Sequence, residues 1–439
     1  MSTVYTLIIP NTTRTGVFLV LREQQWILPE LTFEQQYFWQ VVGQINEAVR
    51  ERLGLEVTTL RCRSIVHDAP SARTELVYEL EYHNSTEFAT SRGHWIGPEA
   101  LDELPLAQRP ILAAWFEEVD RPSRVPWYRP GWRDTILSWL NTALNQSGHM
   151  LTGAVEQVRS WERASLWRAP TNLGVVYFKA VPSMFGHEPA LTALLAERFP
   201  ALIPSVLAVS ATQGWLLLAD AGHRRLMDEL EIKHWERALR DYAGMQLMLT
   251  QHVDALHVVG VPDRGQAWLL SGLEQLVADT ATLTQGPTGL SHDEITALHV
   301  LKPALQTACT TWEQSGLPLS LEHGDFSAWQ IQIDGDTSRF LDWSDSSVAP
   351  PFFSLLGPLD DSASGLAHVP DAAPRLRDAY LSQWTEFATL HVLQRLFDVT
   401  QCLAPLHHAL IYYLDILPSM EQRWEMEQML PYYLRMLLI

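Results

Sequence analysis

The segment His323-Gly324-Asp325-Phe326-Ser327-Ala328-Trp329-Gln330, with Phe340-Leu341-Asp342-Trp343 after it, holds the residue types that phosphoryl transfer requires. A loop carboxylate can take the proton of an attacking hydroxyl, while an amide oxygen and a second carboxylate hold magnesium. Asp325 is the expected base, Asp342 the expected metal ligand, and Gln330 the amide that would join it. Between them, Asp334-Gly335-Asp336 reads as the turn of a short hairpin, which would return Asp342 toward Asp325. His-Gly-Asp alone is a weak signal, and its spacing to Asp342 sharpens it. His323 is expected to brace the loop. The plainer alternative makes both aspartates turn and cap residues.

One lysine far upstream belongs with this set. Lys179 ends the apolar run Val175-Val176-Tyr177-Phe178, and a lysine on a buried strand needs an anionic partner. It would face nucleotide phosphates, braced by Glu188 at the start of the next helix or, second, by Glu197. A strand-end lysine reaching solvent is the alternative. Lysine is scarce here: of 31 basic residues only Lys179, Lys233 and Lys302 are lysines.

From about Pro126 to the C-terminus the sequence resembles the aminoglycoside phosphotransferase and choline kinase family. The motif H-G-D-x-x-x-x-N is matched at His323, Gly324 and Asp325, and the D-W after it at Asp342 and Trp343. Lys179 and Glu188 match the strand lysine and its helix partner. Trp215-Leu216-Leu217-Leu218-Ala219-Asp220 resembles the hinge that holds adenine, which makes Leu218 and Asp220 expected nucleotide contacts. The resemblance implies a two-lobed protein-kinase-like α+β fold, ATP with magnesium, and transfer of the γ-phosphate to a hydroxyl of a small molecule such as an aminoglycoside or choline. Three departures stand out. Gln330 replaces the family's asparagine, Trp161 to Trp167 has no glycine, and Pro351-Phe352-Phe353-Ser354 lacks an aspartate. They keep a rival open: a pseudokinase-type nucleotide-binding or regulatory protein built from two degenerate enzyme folds.

The first 120 residues are similar, more faintly, to a Nudix domain. Glu47-Ala48-Val49-Arg50-Glu51-Arg52-Leu53-Gly54-Leu55 resembles the end of the Nudix box, but of its paired glutamates only Glu51 remains, with Arg52 beside it. A Nudix site needs several carboxylates on magnesium. The expectation is a small α/β Nudix-like domain without hydrolase activity.

The elements that must position these residues follow from periodicity. Strands are expected at Val4–Ile9, Gly16–Leu21, Leu55–Cys62 and Thr74–Tyr82, and helices at Phe33–Leu53 and Pro105–Val119. A linker with a connecting helix (121–150, its apolar face set by Trp132, Ile136, Trp139 and Leu140) leads to a kinase-like N-lobe (151–222) and a helical C-lobe carrying the hairpin (223–439). Trp127, Trp132 and Trp139 are expected to pack the connecting helix onto that lobe, an aromatic cage being the alternative.

Composition bounds the rest. With 47% hydrophobic and 19% charged residues the chain is globular. A net charge of −20 disfavours nucleic acid and suits a cationic acceptor. No apolar run is long enough for a membrane helix, and no secretory pattern opens the chain. Cys62, Cys309 and Cys402 are too few and too scattered for a disulfide framework or zinc motif, which fits a cytoplasmic protein. The C-terminal glutamates Glu421, Glu425 and Glu427 are expected to be solvated.

Overall fold

In the computed structural model, residues 2–68, 73–84, 93–118 and 125–439 are described. They form two compact units, Met1–Pro182 and Ser183–Ile439.

The first unit opens with β1 (Ser2–Ile8), β2 (Val17–Arg22), β3 (Gln25–Ile27) and β4 (Glu30–Leu31). Helix α1 (Gly43–Leu53) follows, then β5 (Val57–Asp68), β6 (Arg73–Tyr82), β7 (Gly93–Ile96) and α2 (Arg109–Glu118). One sheet runs β4-β1-β6-β5, with β1 and β6 parallel, and a second runs β3-β2-β7. Ile8, Val17, Leu19, Val77, Leu112 and Trp115 form the core beside them. Gly54 caps α1 in the left-handed region (φ 70°), its N–H donating to Arg50 O. The helix is shorter than the expected Phe33–Leu53. Residues before Gly43 spend their backbone hydrogen bonds elsewhere: Val42 N–H donates to Val158 O, and Ser160 N–H to Gln40 O. Residues 119–124, which include the start of the expected linker at 121, lie outside the described residues.

Past the linker, α3 (Trp132–Gln146) leads to an antiparallel meander of β8 (Glu156–Trp161), β9 (Ala164–Thr171) and β10 (Gly174–Ala180). Alternation along β10 buries Val176, Phe178 and Ala180 and leaves Lys179 half-buried on the other face. Trp132 and Trp139 of α3 pack against Phe178, with ring centroids 6.4 and 5.5 Å away, so these tryptophans are packing residues.

Sequence reasoning missed how β8 joins the N-terminal residues. Gln157 is buried, and its Oε1 accepts from Asn46 Nδ2 (3.0 Å) and from Thr59 N–H (2.9 Å). Its Nε2 donates to Thr59 O (2.7 Å), and Thr59 Oγ1 donates to Asn46 Oδ1 (2.8 Å). At the end of β8, Trp127 Nε1 donates to Trp161 O, and Trp39 meets Trp161 edge to face. The glycine-free turn after β8 is therefore held on its β8 side by residues from far upstream.

In the second unit, α4 (Glu188–Arg198) precedes the hairpin of β11 (Val206–Ser210) and β12 (Trp215–Ala219). After β13 (Arg224–Arg225), helix α5 (Ile232–Leu249) buries Trp235, Leu239, Tyr242, Gln246 and Leu249, an i, i+3/i+4 stripe facing the core. Strand β14 (Ser320–Glu322) pairs with β17 (Ser347–Ala349), and between them lies the hairpin β15 (Ile331–Asp334) and β16 (Thr337–Phe340). Asp334 pairs with Thr337, so the turn falls where the sequence placed it. A second core joins helices Gln266–Ala278, His292–Gln314, Leu390–Ile411 and Met429–Leu437. Among the described residues no helix is long and apolar enough to cross a membrane.

Candidate active site

Strand β14 delivers the chain to the loop that carries Asp325. His323 is fully buried, Asp325 is exposed and Phe326 is buried. Phe326 stacks on Tyr242 of α5 at 3.9 Å and anchors the loop from below. Asp325 N–H donates to His323 Nδ1 (3.4 Å), which leaves His323 Nε2 as the N–H that donates to Leu341 O (2.9 Å). The histidine thus ties the Asp325 loop to the residue before Asp342, the bracing role expected of it. A second tie runs from Leu341 N–H to Gln330 O (3.0 Å), and Trp343 covers the His323 ring at 4.6 Å.

Gly324 is required at its position. Its φ is +80°, and a Cβ there would lie 2.1 Å from Asp345 O. The Asp325 loop and the segment after Asp342 therefore touch backbone to backbone.

Gln330 Nε2 donates to Asp325 Oδ2 (3.2 Å), so amide and proposed base meet directly, with Oε1 left as the acceptor end of the amide. Asp342 lies beyond the end of β16 rather than on it, half-buried and at φ +63°. A non-glycine residue in the left-handed region is uncommon and clusters at functional sites. Ser344 Oγ reaches both Asp342 Oδ1 (2.9 Å) and the buried Asp345 Oδ2 (3.2 Å). One hydroxyl hydrogen serves one carboxylate at a time. Asp345 was missed in the sequence; its signal was a second acid three residues after Asp342 in a serine-rich turn. Among the described residues no three His, Cys, Asp or Glu side chains converge as a ready metal cluster. Magnesium commonly takes only one or two protein carboxylates and fills its octahedron with phosphate and water, so the hard-oxygen donors of Asp342 and Gln330 suit it.

The other expected residues sit as follows. Lys179 is in the first unit, on β10. Glu188 is the first residue of α4 in the second unit and is buried, whereas Glu197 is exposed. Leu218 and Asp220, at and after the end of β12, are half-buried. Asp220 Oδ1 accepts from Gly222 N–H (3.0 Å), so this carboxylate shapes a turn. Glu51 and Glu47 are exposed on α1.

A cavity of about 100 Å³ opens beside Asp325 within the second unit. Glu322, Asp360, Phe353, His408, Tyr432 and Tyr433 are among its walls. Tyr433 stacks on His408 at 4.9 Å. Burial holds the His408 imidazole down at about 4, so it is neutral near pH 7. Burial pushes the Glu322 carboxyl up to about 7, against the opposing pull of the nearby Gly324 N–H and of the hydrogen bond from Ser354 Oγ. Glu421, Glu425 and Glu427 are not among the cavity's walls.

The chain's structural neighbours are small-molecule phosphotransferases. It is similar to a macrolide 2'-phosphotransferase from Brachybacterium faecium, at 15% identity over 65% of this chain and 96% of that one, with a TM-score of 0.41. It is similar to an ethanolamine kinase from Plasmodium vivax, at 11% identity over 64% and 81%, with a TM-score of 0.44. It is similar also to an aminoglycoside phosphotransferase from Streptomyces rimosus, solved with ADP and streptomycin, at 16% identity over 63% and 97%, with a TM-score of 0.38. No protein-family model and no curated protein matches the sequence.

Proposed function

We propose that the protein is an ATP- and magnesium-dependent phosphotransferase that moves the γ-phosphate to a hydroxyl of a small molecule. The observation that carries this is the Asp325 loop, with its base exposed at a cavity, its amide bonded to that base, and Asp342 tied alongside through Leu341.

Asp325 would hold the acceptor hydroxyl and take its proton as the oxygen bonds to phosphorus and the bond to the departing ADP breaks. Positioned bases of this kind are worth about 10²–10⁴-fold. Gln330 keeps the Asp325 carboxylate aimed. Asp342 is the residue that would hold magnesium, with the Gln330 amide oxygen as its companion. When bound, magnesium–ATP supplies the transferable phosphoryl group and neutralises its charge. Lys179, with Glu188, is assigned to the phosphates, and the backbone around Leu218 and Asp220 to the adenine. The three acids at the cavity favour a cationic acceptor.

The rival, a nucleotide-binding protein without turnover, is favoured by the departures at Gln330, in the glycine-free turn Trp161 to Trp167 and at Pro351 to Ser354. Two variants decide. Magnesium-dependent ATP binding should weaken at least 10-fold in Asp342→Asn, and acceptor-free ATP hydrolysis should vanish in Asp325→Asn with ATP binding intact. Tight ATP binding with no turnover in the unmodified protein would establish the rival instead.

A further inference from the structure

We infer that Glu322 is the specificity-determining group of the acceptor cavity, and that it holds an ammonium group of the acceptor while Asp325 takes the hydroxyl. The inference rests on the phosphotransferase reading and adds a residue that the His-Gly-Asp motif does not include.

Glu322 ends β14 and has no solvent exposure. Its Oε1 accepts from Ser354 Oγ (3.0 Å), and Ser354 is in turn held by Tyr242 Oη (2.8 Å). Its Oε2 has no hydrogen-bond partner among the described residues. An unmatched carboxylate oxygen in a wholly buried side chain is costly, and native proteins rarely keep one without use. Glu322 is also a wall of the cavity that Asp325 borders, together with Asp360 and the rings of Phe353, Tyr432 and Tyr433. Among the described residues no lysine or arginine lines it. Acidic residues and aromatic rings gathered around one cavity are what an ammonium group prefers over a neutral one.

Burial raises the Glu322 carboxyl to about 7. Asp345 reinforces that shift and Arg264 opposes it, while the buried Tyr242 and Tyr380 lie within electrostatic reach. Asp325, Asp360, His408 and Tyr433 face the same cavity, and His323 is the next residue in the chain. Alkylammonium groups stay charged to about pH 10. A bound ammonium would therefore favour the ionised carboxylate and tighten as pH rises through 7, whereas a neutral hydroxyl would not.

The test measures binding by calorimetry without nucleotide, so that absence of turnover and failure of this inference are separate results. The probes are 3-aminopropan-1-ol and propane-1,3-diol at pH 8, with the full-length protein and Glu322→Gln. The amine should bind at least 10-fold more tightly than the diol, and Glu322→Gln should cut that difference below about 3-fold while leaving diol binding unchanged. Equal binding of both probes by the unmodified protein, or discrimination retained in Glu322→Gln, overturns the proposal. A pH series covers the case in which the variant fails to fold. Between pH 6 and 8 a carboxyl near 7 goes from about a tenth to nine-tenths ionised, so amine affinity should rise about tenfold. A flat amine curve overturns the assignment. So does the same slope in a folded Glu322→Gln, which would assign it to another group.

Discussion

Adding one methyl group at Gly324 should separate folding from turnover. The Gly324→Ala side chain would start 2.1 Å from Asp345 O and 2.6 Å from Asp345 C, both backbone atoms that cannot rotate aside. Ordinary contact begins near 3.4 Å, so the Asp325 and Asp345 segments must part by about 1.3 Å, and a displacement near 1 Å costs on the order of 10²-fold in rate. The left-handed φ of +80° adds about 1–2 kcal/mol of backbone strain for alanine. The expected result is a folded protein, less stable by about 1–3 kcal/mol, with kcat down about 100-fold. Metal-free ATP affinity should change far less, because neither Gly324 nor Asp345 is among the groups assigned to the phosphates or the adenine. Urea denaturation, ATP titration and steady-state ADP release would measure the three quantities. A folded Gly324→Ala protein with kcat within 3-fold of the parent would show that the spacing of these two loops does not set the chemistry.

Gln157→Ala would strand Asn46 Nδ2, Thr59 N–H and Thr59 O in the buried seam between β8 and the N-terminal residues. At about 1–3 kcal/mol for each unpaired group, a loss of about 3 kcal/mol is expected, read by urea unfolding and by faster amide exchange at Thr59; a loss under 1 kcal/mol would refute a tight seam. Glu79 is buried, and although desolvation pushes its carboxyl up, Arg61, Arg14 and the Trp115 N–H hold it at about 2. Its folded value is below its unfolded one, so its contribution, about 3 kcal/mol, is complete above the ordinary carboxyl range and is lost as pH falls toward 2. The stability gap between the parent and Glu79→Gln should therefore narrow by about half from pH 6 to pH 3, and a constant gap would contradict the assignment.

The elements around the candidate site were legible where local chemistry fixes them. The Asp334-Gly335-Asp336 turn leaves little choice of register, and Ile331 pairs with Phe340 as the alternation requires. Helix α4 begins at Glu188, the start that its sequence suggested. Failures came where distant segments compete for a backbone. Phe33 to Val42 has residues able to form a helix, yet Val42 N–H donates to Val158, more than a hundred positions away. Nothing in a window of sequence carries that information.

The sequence by itself determined which residues could do chemistry: a motif loop, a hairpin, and a lysine on an apolar strand. Only the tertiary structure decided that Gln330 turns its amide onto Asp325, that Asp345 shares a serine with Asp342, and that Glu322 stands buried at the cavity with one oxygen unmatched among the described residues. Residue type and spacing set what a side chain is able to donate, accept or coordinate. Burial and partner choice depend on chains meeting across β14, β17 and the C-terminal helices, and those meetings are long-range.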